Sequence, residues 1–226
     1  MELPNLIVTI DGPAGAGKST AARWLADRLD FEFLDTGALY RAVTYSAVLS
    51  DIAPTDRDGL EGLLERRVMV LDKGRVSIDG KDVSSAIRTP DVTKRVRDYA
   101  ETEVVRSFLT RRSRELAEGK EIVTEGRDQG TVVFPHATVK FFMTATPEER
   151  AGRRHRELVK HGRQIDFESV LADQIERDRR DSERLLSPLR KAEDAIEIDT
   201  TGLDMNEVVD ELERQVREKI KGANGK

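Results

Sequence analysis

The sequence of 226 residues contains no cysteine. That excludes disulfide scaffolds, thiolate zinc sites and thiol nucleophiles, and it fits a reducing compartment. No apolar run approaches the roughly 18 residues of a membrane span. Met1 to Ile10 leads straight into a strand pattern, so no leader is expected and a cytoplasmic protein is. Net charge is also scarce: 38 basic against 43 acidic residues leave −5, although 36% of the chain is charged. This balance argues against wrapping long nucleic acid by bulk charge, so no nucleic-acid partner is expected. Internal repeats and low-complexity linkers are missing. The hydrophobic share of 38%, with 16 glycines beside it, is enough for a proper core. At roughly 150 residues per domain, the length suggests one large domain or a core with an insertion.

Leu6–Ile10 is short, apolar and β-branched, as a buried parallel strand is. Glycines 12, 15 and 17 follow, and then Ala22, Leu25 and Leu29 recur at helical spacing. Phe31–Leu34 reads as a second strand and Tyr40–Leu49 as a helix. Val68–Leu71, a turn at Asp72-Lys73-Gly74 and Val76–Ile78 read as a hairpin, with Asp79-Gly80 turning into Lys81–Val83. A small antiparallel piece in an alternating chain predicts an inserted subdomain over 61–98. Residues 92–118 are mostly helical, Ile122–Thr124 and Val139–Met143 are buried-strand candidates, and Pro147 opens another helix. Ala195–Ile198 reads as the last strand. Asp204 and Glu207 start a final helix with Val208, Leu212, Val216 and Ile220 on one face. The alternation predicts an α/β fold with a parallel sheet: core segments 1–60, 99–152 and 189–221, and a loose tail over 222–226.

Gly12-Pro13-Ala14-Gly15-Ala16-Gly17-Lys18-Ser19 satisfies G-x-x-x-x-G-K-[ST] in full, between a strand and a helix. Such a loop turns its N–H groups toward phosphate oxygens, while Lys18 reaches the β and γ phosphates and Ser19 can ligate Mg²⁺. Thr20 stands where a dinucleotide fingerprint needs its third glycine, so a nucleoside triphosphate is the expected ligand. No Asn-Lys-x-Asp run is present, which disfavours a guanine switch. Asp56-Arg57-Asp58-Gly59 has the shape of a switch motif, but no apolar strand leads into it. A short chain with an insert and an arginine-rich late segment favours a kinase over a motor ATPase.

Several spaced motifs resemble bacterial-type cytidylate kinases. They are Gly12–Thr20, Leu34–Arg41, Ile87–Pro90, Gly126-Arg127-Asp128 with Gly130–Pro135, and Glu176–Asp181. The likeness covers about residues 5 to 215 and keeps the motifs in order. It implies a five-stranded parallel core, a monophosphate-binding insert and a mobile lid over 153–188. It also implies phosphate transfer from ATP to CMP or dCMP with Mg²⁺, in pyrimidine metabolism, usually by a monomer. By the same resemblance Gly12–Thr20 holds ATP. Arg41, Arg127 and Arg184 match acceptor-phosphate positions, and Thr36, Tyr40, Arg177 and Asp181 lie about the acceptor sugar. Arg106 and Asp128 are expected to read the base as a pair. Two positions depart from the pattern: Glu125 stands where aspartate is typical, able to orient a Mg²⁺ water, and Arg97 stands where a base-contacting serine is expected. Alternatives are a UMP or non-nucleotide kinase of this fold and, from another class, a regulatory or RNA-binding P-loop ATPase.

Transfer between nucleotides needs no strong base, because the acceptor phosphate has a second pKa of about 6 and is mostly deprotonated at neutral pH. It needs cancellation of polyanion repulsion, which suits arginine's planar, permanent charge. Hence the arginines are the expected working side chains, not His136, His155 or His161, which lack metal-ligand spacing. Of arginines 153, 154, 156, 163, 179, 180 and 190, most are expected on solvated helix faces, and some on a lid reaching ATP. An Arg177–Asp181 ion pair at i,i+4 is the plain alternative for that stretch, and Asp128 holding Arg127 is the plain alternative for that loop. Trp24 is expected in the core.

Overall fold

A computed structural model describes residues 6–72 and 74–224. Its elements are, in chain order, β1 Ile7–Asp11, α1 Lys18–Leu29, β2 Glu32–Leu34, α2 Thr36–Leu49, α3 Arg57–Arg66, β3 Met69–Asp72, β4 Arg75–Ile78 and β5 Lys81–Asp82. There follow α4 Pro90–Ala100, α5 Glu103–Ala117, β6 Ile122–Gly126, β7 Val139–Thr144, α6 Pro147–Lys160, α7 Phe167–Glu183, β8 Ile196–Asp199 and α8 Met205–Asn224. The chain divides into two compact units, Met1–Glu32 with Gly119–Lys226, and Phe33–Glu118.

The first unit carries the five-stranded parallel sheet in the order β2-β6-β1-β7-β8. Its central strand β1 pairs in parallel with β6 on one side and β7 on the other. Helices cover both faces of such a sheet, so Val8, Ile10, Val123, Phe141 and Met143 are buried, and so are the polar Thr9, Thr124 and Lys140 between them. Helix α1 packs on β6 and α8, where Val208, Leu212 and Val216 bury the expected apolar stripe. Trp24 is a correction. It is 40% exposed on α1, whose inward face is taken by Ala21, Ala22, Leu25 and Ala26. The final helix continues to Asn224, into the stretch expected as a tail, while Gly225 and Lys226 lie outside the described residues.

The second unit is entered and left once. Helix α2 packs against α4 and α5, and β3-β4-β5 form the antiparallel sheet. Residues 33–60 and 99–118 join the 61–98 stretch here because Leu39, Val43, Leu60, Ile87, Val105 and Leu109 share one core. Helix α2 begins at Thr36, earlier than its apolar periodicity suggests, because Asp35 caps it by accepting from the Ala38 N–H at 2.9 Å. The switch-like Asp56–Gly59 run is a helix start of the same kind: the Asp56 side chain accepts from the Gly59 N–H at 2.9 Å.

Candidate active site

Where the order of a parallel sheet reverses, loops after the carboxyl ends of adjacent strands diverge and leave room for a ligand. Here β1 sits at that point, and its register sets Ile10 beside Glu125 and Asp11 beside Gly126. The phosphate loop and the Gly126–Asp128 loop therefore leave the sheet side by side. The first must turn sharply: Gly12 has φ +148°, and a Cβ there would lie 2.0 Å from the Met143 carbonyl oxygen. Only glycine permits that approach.

Within the loop, Lys18 Nζ donates to the Pro13 carbonyl at 2.7 Å and Thr200 Oγ1 donates to the Ala16 carbonyl at 3.3 Å. Burial pushes the Lys18 ammonium down to about 7, Arg127 acts in the same direction, and Glu125 and Asp11 oppose it. Ser19 opens α1, and its hydroxyl donates to Glu125 Oε1 at 2.7 Å. A hydroxyl and a carboxylate oxygen at that spacing are the donors a hard divalent cation takes. The longer Glu125 side chain thus reaches Ser19 without help. Among the described residues no cluster of three or more His, Asp or Glu could hold a metal by itself.

Sequence reasoning passed over Asp11, the last residue of β1. Its carboxylate accepts from the Gln129 N–H at 2.9 Å and the Gly130 N–H at 2.7 Å, pinning the turn that follows Arg127 and Asp128. Burial raises Asp11 to about 6, against the lowering effect of these two N–H bonds, and Asp128 adds to the rise. The available signal was a carboxylate directly before Gly12. Arg127 Nε donates to Asp181 Oδ2 at 2.7 Å. Burial works to raise Asp181, but the charges of Arg127, Arg177 and Arg184 and the Arg127 bond outweigh it and hold the carboxyl below its ordinary value. Two contacts distant in sequence involve these carboxylates. Asp181 takes Arg127 from across the unit, while Asp128, buried, has Arg184 NH2 3.8 Å from its Oδ1. Arg177 is exposed on α7.

The remaining candidates sit in the second unit. Thr36, buried, opens α2, and Tyr40 and Arg41 lie in its second turn. Arg41 NH1 donates to Thr93 Oγ1 at 2.7 Å; burial, then the Arg88 charge, lower its pKa, and Asp35 opposes. Arg88 itself pairs with Asp35 at 3.2 Å. Arg106 is buried on α5, donates to the Ala100 carbonyl at 3.1 Å and has its guanidinium carbon 5.8 Å from the Tyr40 ring centre. Arg97 lies half-buried in the last turn of α4. Arg106 and Asp128 therefore belong to different units.

The late arginines mostly have ordinary duties. Arg154 pairs with Glu157, and Arg179 and Arg180 both pair with Glu176. Arg153 is tied down, donating to the Thr200 carbonyl at 2.7 Å. His136 and His161 are exposed, and His155 is half-buried edge-on to Phe167.

The cytidylate kinase family model matches residues 8–218. The chain belongs to the cytidylate kinase family. It is therefore a nucleotide kinase, a phosphotransferase. A cytidylate kinase from Rhodopirellula baltica is 47% identical over 218 residues, covering 96% of this chain and 95% of that protein. One from Clostridium tetani is 45% identical, with 95% of each chain covered. An uncharacterised protein from Eubacterium ventriosum of known structure matches with a TM-score of 0.55 at 14% identity, covering 94% of this kinase and 98% of that chain; this likeness concerns the fold alone. No helix among the described residues is long and apolar enough to cross a membrane.

Proposed function

We propose that this kinase transfers the γ-phosphate of ATP to CMP or dCMP, giving ADP and CDP or dCDP, as a cytoplasmic monomer in pyrimidine nucleotide metabolism. The observation that carries the reading is the phosphate loop at β1 lying beside the Arg127–Asp128 loop at β6, in a chain of this family. Gly12–Thr20 receives the ATP phosphates, and Lys18 neutralises the β and γ groups. Mg²⁺ bound with ATP supplies positive charge at the same oxygens, with Ser19 and, through water, Glu125 as its protein partners. Arg127, Arg184 and Arg41 take the acceptor phosphate. Thr36, Tyr40, Arg177 and Asp181 serve the sugar, and Asp128, Arg106 and Arg97 serve the base. Asp181 pairs with Arg127 at 2.7 Å, which supports reading Arg127 as an arginine held in place for the acceptor phosphate.

Segments 61–98 and 153–188 are proposed to close over bound nucleotides, since an open site would spend ATP on water. Arg153 is anchored to Thr200, and Gln174 is anchored to the Ala14 carbonyl, so the moving part of the second segment lies between them. A coupled ADP-release assay with CMP, dCMP, UMP and AMP tests the whole reading. Turnover that requires CMP or dCMP is expected; turnover that responds to RNA alone, or prefers UMP, would overturn it.

A further inference from the structure

The tip of the phosphate loop is gripped from outside by two helices. Arg150, buried on α6, donates from NH1 to the Ala14 carbonyl at 3.1 Å and from Nε to the Ala145 carbonyl at 2.9 Å. Gln174, buried on α7, donates from Nε2 to the same Ala14 oxygen at 2.9 Å. Asp178, one turn further along α7, pairs with Arg150 at 2.6 Å and accepts from Gln174 at 3.3 Å. The body of Arg150 also packs on the loop, since a Cβ on Gly15 would meet the Arg150 Cβ at 3.0 Å.

A trans peptide is planar, so the Ala14 carbonyl and the Gly15 N–H of one peptide unit point in opposite directions. No cis peptide bond occurs among the described residues, Ala14–Gly15 included. Fixing the carbonyl from outside therefore aims the Gly15 N–H at the interior of the loop. A charged donor on the carbonyl also polarises the peptide and strengthens its N–H as a donor. We infer that Arg150, Gln174 and Asp178 form a positioning clasp that sets the Gly15 N–H for the phosphates of the donor nucleotide. None of the three needs to touch the nucleotide. The inference rests on reading Gly12–Thr20 as the donor site.

The clasp predicts a split between donor and acceptor. Helix α7 has a second anchor, Asp181 on Arg127 at 2.7 Å, which survives loss of the Gln174 bond. Calorimetric binding of a non-hydrolysable ATP analogue and, separately, of CMP distinguishes the possibilities in Gln174→Met and Asp178→Asn, both near-isosteric. Analogue affinity should fall at least fivefold in each while CMP affinity stays within twofold, and KM for ATP should rise by the same factor. Gln174→Lys, which restores a donor toward the carbonyl, should recover part of the loss. Folded variants that bind the analogue within twofold of the parent would overturn the clasp, as would equal loss of analogue and CMP, which marks a general structural role. A parent that fails to bind the analogue at all would instead remove the donor assignment on which the clasp depends.

Discussion

The phosphate loop of the first unit and the surface arginines of the second hold charge by different means. In the first, the phosphate loop is a backbone device. Its carbonyls are engaged by Lys18, Arg150, Gln174 and Thr200, and the nearby carboxylate of Asp11 is spent on two N–H groups of the next loop. In the second, Arg41, Arg88 and Arg97 are side chains on helix surfaces, with a threonine, one carboxylate and a half-buried position between them. Backbone donors are fixed once the loop is folded and lose little entropy on binding. Long side chains keep their rotamers until a ligand arrives, at about 2 kcal/mol of rotamer freedom for an arginine. Substitution of Lys18 inside the phosphate loop should therefore act on rate steeply, and substitutions of the second unit's surface arginines mildly and on affinity.

The largest break in that contrast is Lys18→Ala. Loss of its charge at the β and γ phosphates should cost several hundredfold or more in turnover, about 3–4 kcal/mol by analogy with oxyanion donors. A folded variant within tenfold of the parent would remove Lys18 from the chemistry. The depressed Lys18 value adds a second measurement. With its folded pKa at about 7, well below 10.5, the folded protein binds fewer protons there than the unfolded chain, so this group's contribution to stability rises with pH across that window. Nucleotide phosphates reverse the shift, and binding near pH 8 should take up close to one proton, measured by calorimetry in buffers of different ionisation heat. Uptake that persists in Lys18→Ala would assign the proton elsewhere.

Next in size is Asp11→Asn. The amide turns a donor toward one of the two N–H groups, and an unsatisfied buried donor costs about 1–3 kcal/mol, or roughly tenfold to a hundredfold in kcat/KM. Protonation of Asp11 has the same consequence. Its folded value, about 6, lies above the ordinary 3.8, so the folded state takes the proton first and this group's stability contribution grows as pH falls through 6. Activity should move the other way. The ratio of parent to Asp11→Asn should shrink as pH drops through 6, with the titration of CMP cancelling in the ratio. A ratio constant from about pH 5 to 7.5 would show that Asp11 does not govern the loop.

Asp128→Asn tests the base assignment proposed for a residue of the first unit. Cytosine presents an amino donor where uracil presents an acceptor, so CMP should exceed UMP by about tenfold to a hundredfold, and the variant should shrink that ratio chiefly by weakening CMP. Equal loss for both nucleotides would assign Asp128 to Arg184 and the scaffold. The smallest effect belongs to Arg97→Ala. A half-exposed arginine contributes about 0.5–1 kcal/mol, so KM for CMP should rise about twofold to fivefold with kcat retained. A larger loss would make Arg97 a buried base contact in the bound state.

The fold class, the sheet and the phosphate loop were legible because each is written locally: a β-branched run, glycines at set intervals, a lysine and a serine at the mouth of a helix. Asp35 and Asp56 as helix caps obey a local rule as well, although apolar periodicity alone starts α2 too late. Asp11, Gln174 and Arg150 were not legible. Asp11 reaches residues 118 and 119 positions away, and Gln174 and Arg150 reach Ala14 across 160 and 136 positions. Nothing in the neighbourhoods of Gln174 and Arg150 distinguishes them from surface polar residues, and the carboxylate placed directly before Gly12 does not by itself name its partners.

Trp24 and Asp181 show the same division. A lone tryptophan in an amphipathic helix is expected inward, yet α1 fills its inner face with small residues and Leu25, and the indole is left outside. Asp181 has an arginine four residues away in its own helix and also pairs with Arg127, 54 positions distant in the chain. By itself, the sequence determined which segments are strands and helices and where a nucleotide's phosphates would be met, since both follow from contacts within a few residues. Only the tertiary structure decided which carboxylate holds which arginine and which side chains hold the phosphate loop in shape. Burial decides those pairings: inside the fold a buried charge or carbonyl must take whichever partner packing delivers, however distant it is along the chain.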